Sequence, residues 1–220
     1  MTDQSRPPTP QAAYDIEALI EPVRSEFIAK HEAREAALPL CREVIRLCAN
    51  AIRAVHRLEF DRAELLLSKA GRLLEEISDT LTGHADVYHA GFVHDAQKEY
   101  AEGRLTLAFV AGRKLPGPAD LNVGAAAYLN GLAEAATELR RHILDILRHG
   151  EVERCETLLA AMDEVYSALI TIDYPDAITG GLRRATDTVR GVLEKTRGDL
   201  TVAVRQRELE RRLDDLARRL

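Results

Sequence analysis

Two groups of acidic residues have the spacing that brings side chains onto one face of a helix. Asp95, Glu99 and Glu102 follow one another at intervals of four and three residues, and Glu134 and Glu138 lie four residues apart. Residues at these intervals are neighbours on a helix. Like charges there repel by about 0.2–0.5 kcal/mol per pair unless something neutralises them. Each face is therefore either a solvated acidic surface or part of a cation site.

A divalent metal is the cation that such carboxylates suit. Mg²⁺ prefers oxygen ligands and keeps several waters, so a few carboxylates from two facing helices are enough to hold it. Water bound to the ion can become the nucleophile of phosphodiester hydrolysis, and the ion offsets the charge of the phosphate. Spacing alone does not separate this site from a solvated acidic face, so both interpretations stay open at this point.

Several common catalytic signatures are absent from the sequence. It contains no P-loop pattern, no Gly-x-Gly-x-x-Gly motif, no His-Glu-x-x-His motif and no Gly-x-Ser-x-Gly elbow. His84, His89 and His94 are five residues apart, so on a helix they spread around the axis instead of sharing a face. We interpret them as ordinary surface or partly buried histidines.

Composition favours a helical protein of the cytoplasm. The 220 residues are 46% hydrophobic but only 5% aromatic, and Ala, Leu, Glu and Arg dominate. No apolar run reaches the about 18 residues of a membrane span, and the N-terminus lacks the apolar core of a signal peptide. Cys41, Cys48 and Cys155 have no Cys-x-x-Cys spacing and are interpreted as buried free thiols in a reducing cytosol.

The apolar periodicity predicts an all-α chain of about seven helices in an antiparallel bundle. The predicted connections are short, which favours antiparallel packing of successive helices. Residues 1–13 are predicted to be a disordered tail, and 14–220 a single helical domain. The predicted helices cover about 14–56, with Pro22 and Pro39 as possible kinks, 61–82, 86–112, 122–149, 152–172, 177–196 and 199–220, the last capped by Gly198 and Asp199.

The C-terminal segment has two features of a contact surface. Leu209, Leu213, Leu216 and Leu220 form a short heptad seam, which packs either within its own subunit or against another. The whole chain has a net charge of −6, but residues 181–220 carry 11 Lys and Arg against 7 Asp and Glu. This basic segment is either an anion-binding surface or a solvated helix face.

Four segments resemble the translin/Trax family in order and spacing, and they are distributed over most of the chain beyond residue 25. The segment at 30–57 resembles the first helix of the family, and that at 97–112 resembles the Trax segment containing Glu-Tyr-x-Glu. The segment at 128–144 is similar to the family helix with Leu-Leu-Gly-x-Ala-Asp-Leu-Thr-Gly-Glu-Leu-x-Arg. The segment at 181–200 resembles the sixth helix of the family.

The resemblance implies a Trax-like catalytic centre, because Trax subunits carry the acidic residues of a Mg²⁺-dependent endoribonuclease, whereas translin subunits mainly bind nucleic acid. Glu99 and Glu102 match the catalytic Glu pair of Trax, Glu134 stands where Trax has Asp, and Glu138 matches the following Glu. All four are expected to be catalytic, with Glu99, Glu102 and Glu134 converging on Mg²⁺ between antiparallel third and fourth helices. Glutamate at 134 is longer than aspartate by one methylene, which can shift the metal geometry.

The resemblance also implies partners. Proteins of the family assemble as octameric hollow shells with RNA inside, so we expect a homo-octamer or a similar assembly that binds single-stranded RNA, with single-stranded DNA as an alternative binding partner. A basic inner surface would reconcile RNA binding with the acidic net charge. Arg42, Arg46 and Arg141 are candidate phosphate contacts, and their alternative role is in salt bridges on helix faces.

Three hypotheses therefore remain. The first is a Mg²⁺-dependent endoribonuclease that acts on single-stranded RNA inside an oligomeric shell. The second is a translin-like binder of single-stranded RNA or DNA without catalysis, and the third is a structural helical oligomer. Mg²⁺-dependent cleavage separates the first from the others, and salt-sensitive binding to single strands separates the second from the third.

Overall fold

The computed structural model describes residues 15–218, and the regular structure in that range is entirely helical, which confirms the all-α prediction. The predicted N-terminal tail, 1–13, and Leu220 lie outside the described residues. The six long helices are α1 (Ile16–His56), α2 (Phe60–Thr80), α4 (Gly91–Ala111), α6 (Ala125–Arg148), α7 (Val152–Leu169) and α9 (Leu182–Ala217), and three single turns, α3 (Ala85–Tyr88), α5 (Pro118–Leu121) and α8 (Asp176–Thr179), lie between them.

The helix bounds depart from the sequence prediction at two places. The predicted break at Gly198 is wrong, because α9 continues through it. An interior glycine costs about 1 kcal/mol relative to alanine, and the buried side chains of Leu193 and Leu200 on either side of it offset that cost. The predicted third helix is divided near Ala90 into α3 and α4, whereas α1 continues through both of its prolines.

Most successive long helices pack antiparallel, as predicted. Between α2 and α4, Glu64 contacts Arg104, whereas Gly71, farther along α2, lies against Tyr100, which comes earlier in α4. The α6–α7 pair shows the same arrangement, because the thiol of Cys155, near the start of α7, contacts a carbonyl in the second half of α6.

Helices α4 and α6 run in the same direction, so the expectation that this pair is antiparallel is wrong. Gln97, early in α4, accepts a hydrogen bond from the amide of Gly124 at the start of α6 (3.2 Å). At the other end, Arg154, just after α6, donates to the carbonyl of Val110 (2.7 Å). The connection 112–124 can span about 40 Å when extended, more than the about 30 Å length of α4, so it runs back along the bundle.

The core is built where these helices meet, and it includes all three cysteines. Cys41, Cys48 and Cys155 are buried free thiols, as predicted, and burial raises the pKa of each. Side chains of α1, α2, α4, α6, α7 and α9 form the main apolar cluster, and a second cluster joins α6, α7 and α9. No helix in the described part of the chain has the length and hydropathy of a membrane-spanning segment.

Two helices extend past the core with apolar side chains exposed. On α1 these include Ile16, Leu19 and Phe27, and on α9 Leu209, Leu213 and Leu216 are each more than half exposed. The seam leucines that the structure describes therefore do not pack within their own subunit. Burying such side chains against another subunit would stabilise an assembly.

Candidate metal centre

Three of the predicted carboxylates meet at the contact between α4 and α6. Glu99 and Glu102 project from α4 and Glu134 from α6, and one oxygen atom of each lies within 4.8 Å of the others. The 4-3 spacing on α4 predicted that its two residues share a face. The convergence with α6 was predicted from the family resemblance and is observed here, although the two helices run parallel.

A glycine that sequence reasoning did not single out allows this close approach. Gly131 lies on α6, where a Cβ atom would be 2.7 Å from the carbonyl oxygen of Lys98 and 2.9 Å from the amide nitrogen of Glu102. Both neighbours are backbone atoms of α4, which cannot move aside as a flexible side chain can. The absence of a side chain at Gly131 therefore sets the short distance between the helices, and with it the distance between their carboxylates.

The cluster holds more negative charge than its surroundings compensate. Burial, with the nearby Glu134 and Glu99 carboxylates, raises the pKa of Glu102 to about 9. Burial also raises the pKa of Glu99. Glu102 is only 8% exposed, so water does little to screen it. The raised pKa favours the protonated form of Glu102 at neutral pH, and a cation bound beside it would favour the ionised form.

Lys98 reaches across the cluster, which the sequence motifs did not indicate. Its ammonium Nζ donates to Glu134 Oε1 at 2.7 Å and lies 3.4 Å from Glu99 Oε1. Although burial opposes the charged form, pairing with Glu134 and Glu99 keeps the pKa of Lys98 above its ordinary value. A single positive charge therefore links the α4 and α6 carboxylates.

Comparison with known proteins identifies the family of this chain. No family model matches the sequence. An uncharacterized protein of Methanocaldococcus jannaschii is 29% identical over 185 residues, which is 84% of this chain and 82% of that protein. The solved structure of AfC3PO with duplex RNA is 31% identical, with a TM-score of 0.80 over 86% of this chain and 97% of that one. C3PO proteins are of the translin/Trax type. This chain belongs to the translin/Trax family.

Other solved structures agree with this assignment to the translin/Trax family. A second AfC3PO structure is 31% identical, with a TM-score of 0.79, over 86% of this chain and 98% of that one. Apo-NeC3PO has a TM-score of 0.74 at 18% identity, over 84% of this chain and 96% of that one, and shows the shared fold alone. The resemblance predicted from four sequence segments is therefore confirmed.

The residues of this translin/Trax chain fit the Mg²⁺ that the family resemblance implies. The donor set is all oxygen, and one of its carboxylates is buried and partly deprived of solvent. An octahedral ion with ligands at about 2.0–2.1 Å holds opposite oxygens about 4.2 Å apart. The three carboxylate oxygens lie within 4.8 Å of one another, which is the range that small side-chain rotations can bring onto one ion. The extra methylene of Glu134 does not remove it from the cluster.

Two further acidic residues lie beside the cluster without joining it. Glu138 Oε2 is 2.6 Å from His56 Nε2, and this hydrogen bond lowers the pKa of Glu138. Its negative charge contributes to the raised pKa of Glu102. Asp95, one turn before Glu99 on α4, lines a neighbouring cleft. The catalytic role of Glu138 stays a prediction, with His56 as its observed partner.

The three arginines named as phosphate contacts are exposed, and none of them is among the partners of the clustered carboxylates. Arg42 makes no ion pair with any residue in the range 15–218, whereas Arg46 donates to Glu43 at 2.7 Å. Arg141 helps to lower the pKa of Glu138, so it lies near the site. Their role in binding nucleic acid stays a prediction.

A cleft of about 470 Å³ opens beside the carboxylates, between α4, α6 and the start of α9. Glu134 and Lys98 belong to both the cluster and the cleft wall. A ligand in this cleft therefore lies next to the candidate metal centre. The wall is formed by His94, Asp95, Lys98, Asn130, Ala133, Glu134, Thr137, Asp176, Gly180, Gly181, Arg184, Ala185 and Thr188.

Glu102→Gln is expected to stabilise the metal-free protein, and more at about pH 8 than at about pH 5. The pKa of Glu102 rises from 4.5 to about 9, so between these values the folded state binds more protons than the unfolded state. The contribution of Glu102 to the free energy of unfolding therefore falls as pH rises through this window. Glutamine mimics the protonated carboxyl and avoids that loss.

Thermal unfolding in a chelator at both pH values measures the effect. We expect a gain in Tm of several degrees at about pH 8, since about 2–4 °C corresponds to 1 kcal/mol for a chain of this size. Glu75→Gln, an exposed substitution of the same type on α2, should change Tm little at either pH. A gain that is equal at both pH values would contradict the buried, proton-bearing Glu102.

Proposed function

We propose that this chain is a metal-dependent endoribonuclease, with Glu99, Glu102 and Glu134 as the ligands of Mg²⁺. The observation that carries the proposal is the meeting of these three carboxylates across the α4–α6 contact. RNA as the substrate class is supported by the relative AfC3PO, whose solved structure is a complex with duplex RNA. The family motifs and the geometry thus lead to the same three residues.

The residues of the chain have separate tasks in this proposal. Glu99 and Glu134 supply the two half-buried carboxylates of the ligand set, and Glu102 supplies the buried one after losing its proton. Gly131 holds the two helices at the required distance. Bound Mg²⁺ supplies Lewis acidity toward the phosphate and toward a water nucleophile. The adjacent cleft, with Arg184 on its wall, admits part of the RNA strand next to the carboxylates.

An assay with labelled RNA tests the proposal. Purified protein is incubated with single-stranded RNA and with duplex RNA, each with Mg²⁺ or with a chelator. We expect internal cleavage of single-stranded RNA that requires Mg²⁺. Binding of RNA without cleavage under any of these conditions would contradict the enzymatic proposal. Preferential cleavage of the duplex would support the metal site but show that the substrate is duplex RNA instead of single-stranded RNA.

A second candidate function, RNA binding without catalysis, is favoured by one observation. Lys98 already offsets part of the negative charge of the cluster, at 2.7 Å from Glu134 and 3.4 Å from Glu99. A structural ion-pair network of this kind needs no metal. Salt-sensitive binding with no Mg²⁺-dependent cleavage would support this function, and the absence of any RNA binding would leave the structural oligomer.

Arg42→Ala is expected to weaken RNA binding and to reduce its salt dependence. The side chain is exposed on α1 and makes no ion pair within residues 15–218, so it is available to a phosphate. Losing one phosphate contact should lower the slope of log K against log salt by about 1. Binding titrations at several salt concentrations measure this slope, and Arg72→Ala on α2 is the matched control. Equal slopes for the two variants would remove Arg42 from the RNA-binding surface.

The assembly is expected to be a homo-oligomer larger than a dimer. The exposed leucines of α9 and the exposed apolar side chains of α1 support this, because each surface would be buried in an assembly. Light scattering at micromolar concentration should give a mass above that of two chains. Leu213→Arg, which places a charge in the α9 seam, should lower that mass. A wild-type mass equal to the 24.4 kDa of one chain would contradict the prediction.

A further inference from the structure

The ion pairs around the carboxylate cluster leave Lys98 as its counter-ion. Arg104 on α4 pairs with Glu64, and His56 is hydrogen-bonded to Glu138. Among the described residues, the ammonium of Lys98 is the positive group within 4 Å of the clustered carboxylates. It therefore holds the α4 and α6 side chains together while no other cation is present.

The position of Lys98 conflicts with the proposed metal. Its Nζ occupies a hydrogen-bonding position on Glu134 Oε1, the same carboxylate that the proposed function assigns to Mg²⁺. Two cations that share these carboxylates repel each other, and the repulsion is strong where burial excludes water. Lys98 is only about one-fifth exposed at its side chain, so solvent screens this repulsion weakly.

We propose that Lys98 is a built-in competitor of the metal, which closes the carboxylate cluster in the metal-free protein and is released into the adjacent cleft when a divalent cation binds. This inference rests on the proposed function and adds a regulatory element to the same site. The ammonium does not have to cross the core, because Lys98 already lines the cleft. The cleft wall also carries Asp95 and Asp176, so the released ammonium keeps acidic neighbours there.

The competition has a direct consequence for metal affinity. Removal of the lysine charge should strengthen metal binding, whereas removal of a side chain that merely positions the carboxylates should weaken it. We therefore compare wild type, Lys98→Gln and the control Lys69→Gln. Lys69 is exposed on α2 and makes no ion pair in the described range, so its substitution changes the net charge equally at a distance from the site.

Titration with Mn²⁺, followed by electron paramagnetic resonance and by displacement with Mg²⁺, measures the affinity. Lys98→Gln is expected to bind Mn²⁺ at least about tenfold more tightly than the wild type, because the substitution removes a close like charge from a partly buried site. Lys69→Gln should match wild type. If the wild type binds Mn²⁺ and Lys98→Gln binds it equally or more weakly, the proposed role of Lys98 is overturned, whereas the proposed metal site is retained. No binding by either protein would overturn the proposed metal site together with this inference.

Chemical labelling tests the release of Lys98 in the unaltered protein, so the result does not depend on the folding of a variant. An amine-acylating reagent is applied with and without saturating Mn²⁺, and the modification of each lysine is followed by peptide mass spectrometry. Acylation of Lys98 should become several-fold faster with Mn²⁺, whereas that of Lys69 should not change. An equal or slower rate at Lys98 with Mn²⁺ bound would overturn the proposal.

Discussion

Glu102→Gln is expected to lower the rate of RNA cleavage about a hundredfold or more, while RNA binding and oligomer mass stay close to those of the wild type. Glutamine preserves the shape of the side chain but cannot supply the negative charge of the buried ligand. Without that charge the cluster loses its hold on Mg²⁺, and the electrostatic contribution to phosphodiester cleavage is lost with it. Binding should persist, because it depends on phosphate contacts made elsewhere.

The structure separates this loss of activity from a folding defect. The raised pKa of Glu102 predicts that the same substitution raises Tm in a chelator, so an inactive protein should also be a more stable one. Glu75→Gln makes the same chemical change at an exposed position of α2 and should cleave at the wild-type rate. Wild-type cleavage by Glu102→Gln would reject the catalytic assignment, and the binding-only function would take its place.

Gly131→Ala is expected to have the second large effect, on both stability and catalysis. The added methyl would meet the backbone of α4 at 2.7–2.9 Å and the Cβ of Ala101 at 2.8 Å, so the helices must separate. Overpacking of this kind costs about 1–3 kcal/mol, which exceeds the about 1 kcal/mol that alanine gains over glycine within a helix. Misplacement of catalytic groups by about 1 Å can lower the rate about a hundredfold.

The matched control is Gly198→Ala, another glycine inside a long helix. A Cβ at Gly198 would meet no atom within 4 Å, so only the helix propensity should change. We expect Tm to rise, by the equivalent of about 0.5–1 kcal/mol, and cleavage to be unaffected. Thermal unfolding measures the Tm of the two variants, and the RNA cleavage assay measures their activity. An increase of Tm in Gly131→Ala similar to that in Gly198→Ala would show that the α4–α6 contact is looser than described.

The sequence predicts the helical nature of the chain and the acidic face of α4, because both depend on local periodicity. The direction of α6 relative to α4 is not local. Residues 112–124 contain a Pro-Gly-Pro segment that was interpreted as a loop between antiparallel helices. Only the contacts of Gln97 and Arg154 at opposite ends of the pair reveal that this segment runs back along the bundle.

The cluster itself was predictable only in part. Spacing groups Glu99 with Glu102, and the family resemblance adds Glu134, but neither indicates that Lys98 turns toward the same point. Adjacent residues of a helix point about 100° apart, so a lysine next to a catalytic glutamate is not expected to share its contacts. A long flexible side chain overcomes that angle. The sequence likewise did not indicate a role for Gly131, because that role depends on the backbone of another helix.

The location of a bound Mn²⁺ ion in crystals of the wild-type protein tests the central claim most directly. Crystals soaked in Mn²⁺ are measured near the manganese absorption edge, and an anomalous peak marks the ion. We predict a peak bounded by the carboxylates of Glu99, Glu102 and Glu134, with Glu138 still paired to His56. A fully soaked crystal with Lys98 still on Glu134 and no peak between α4 and α6 would contradict the metal centre.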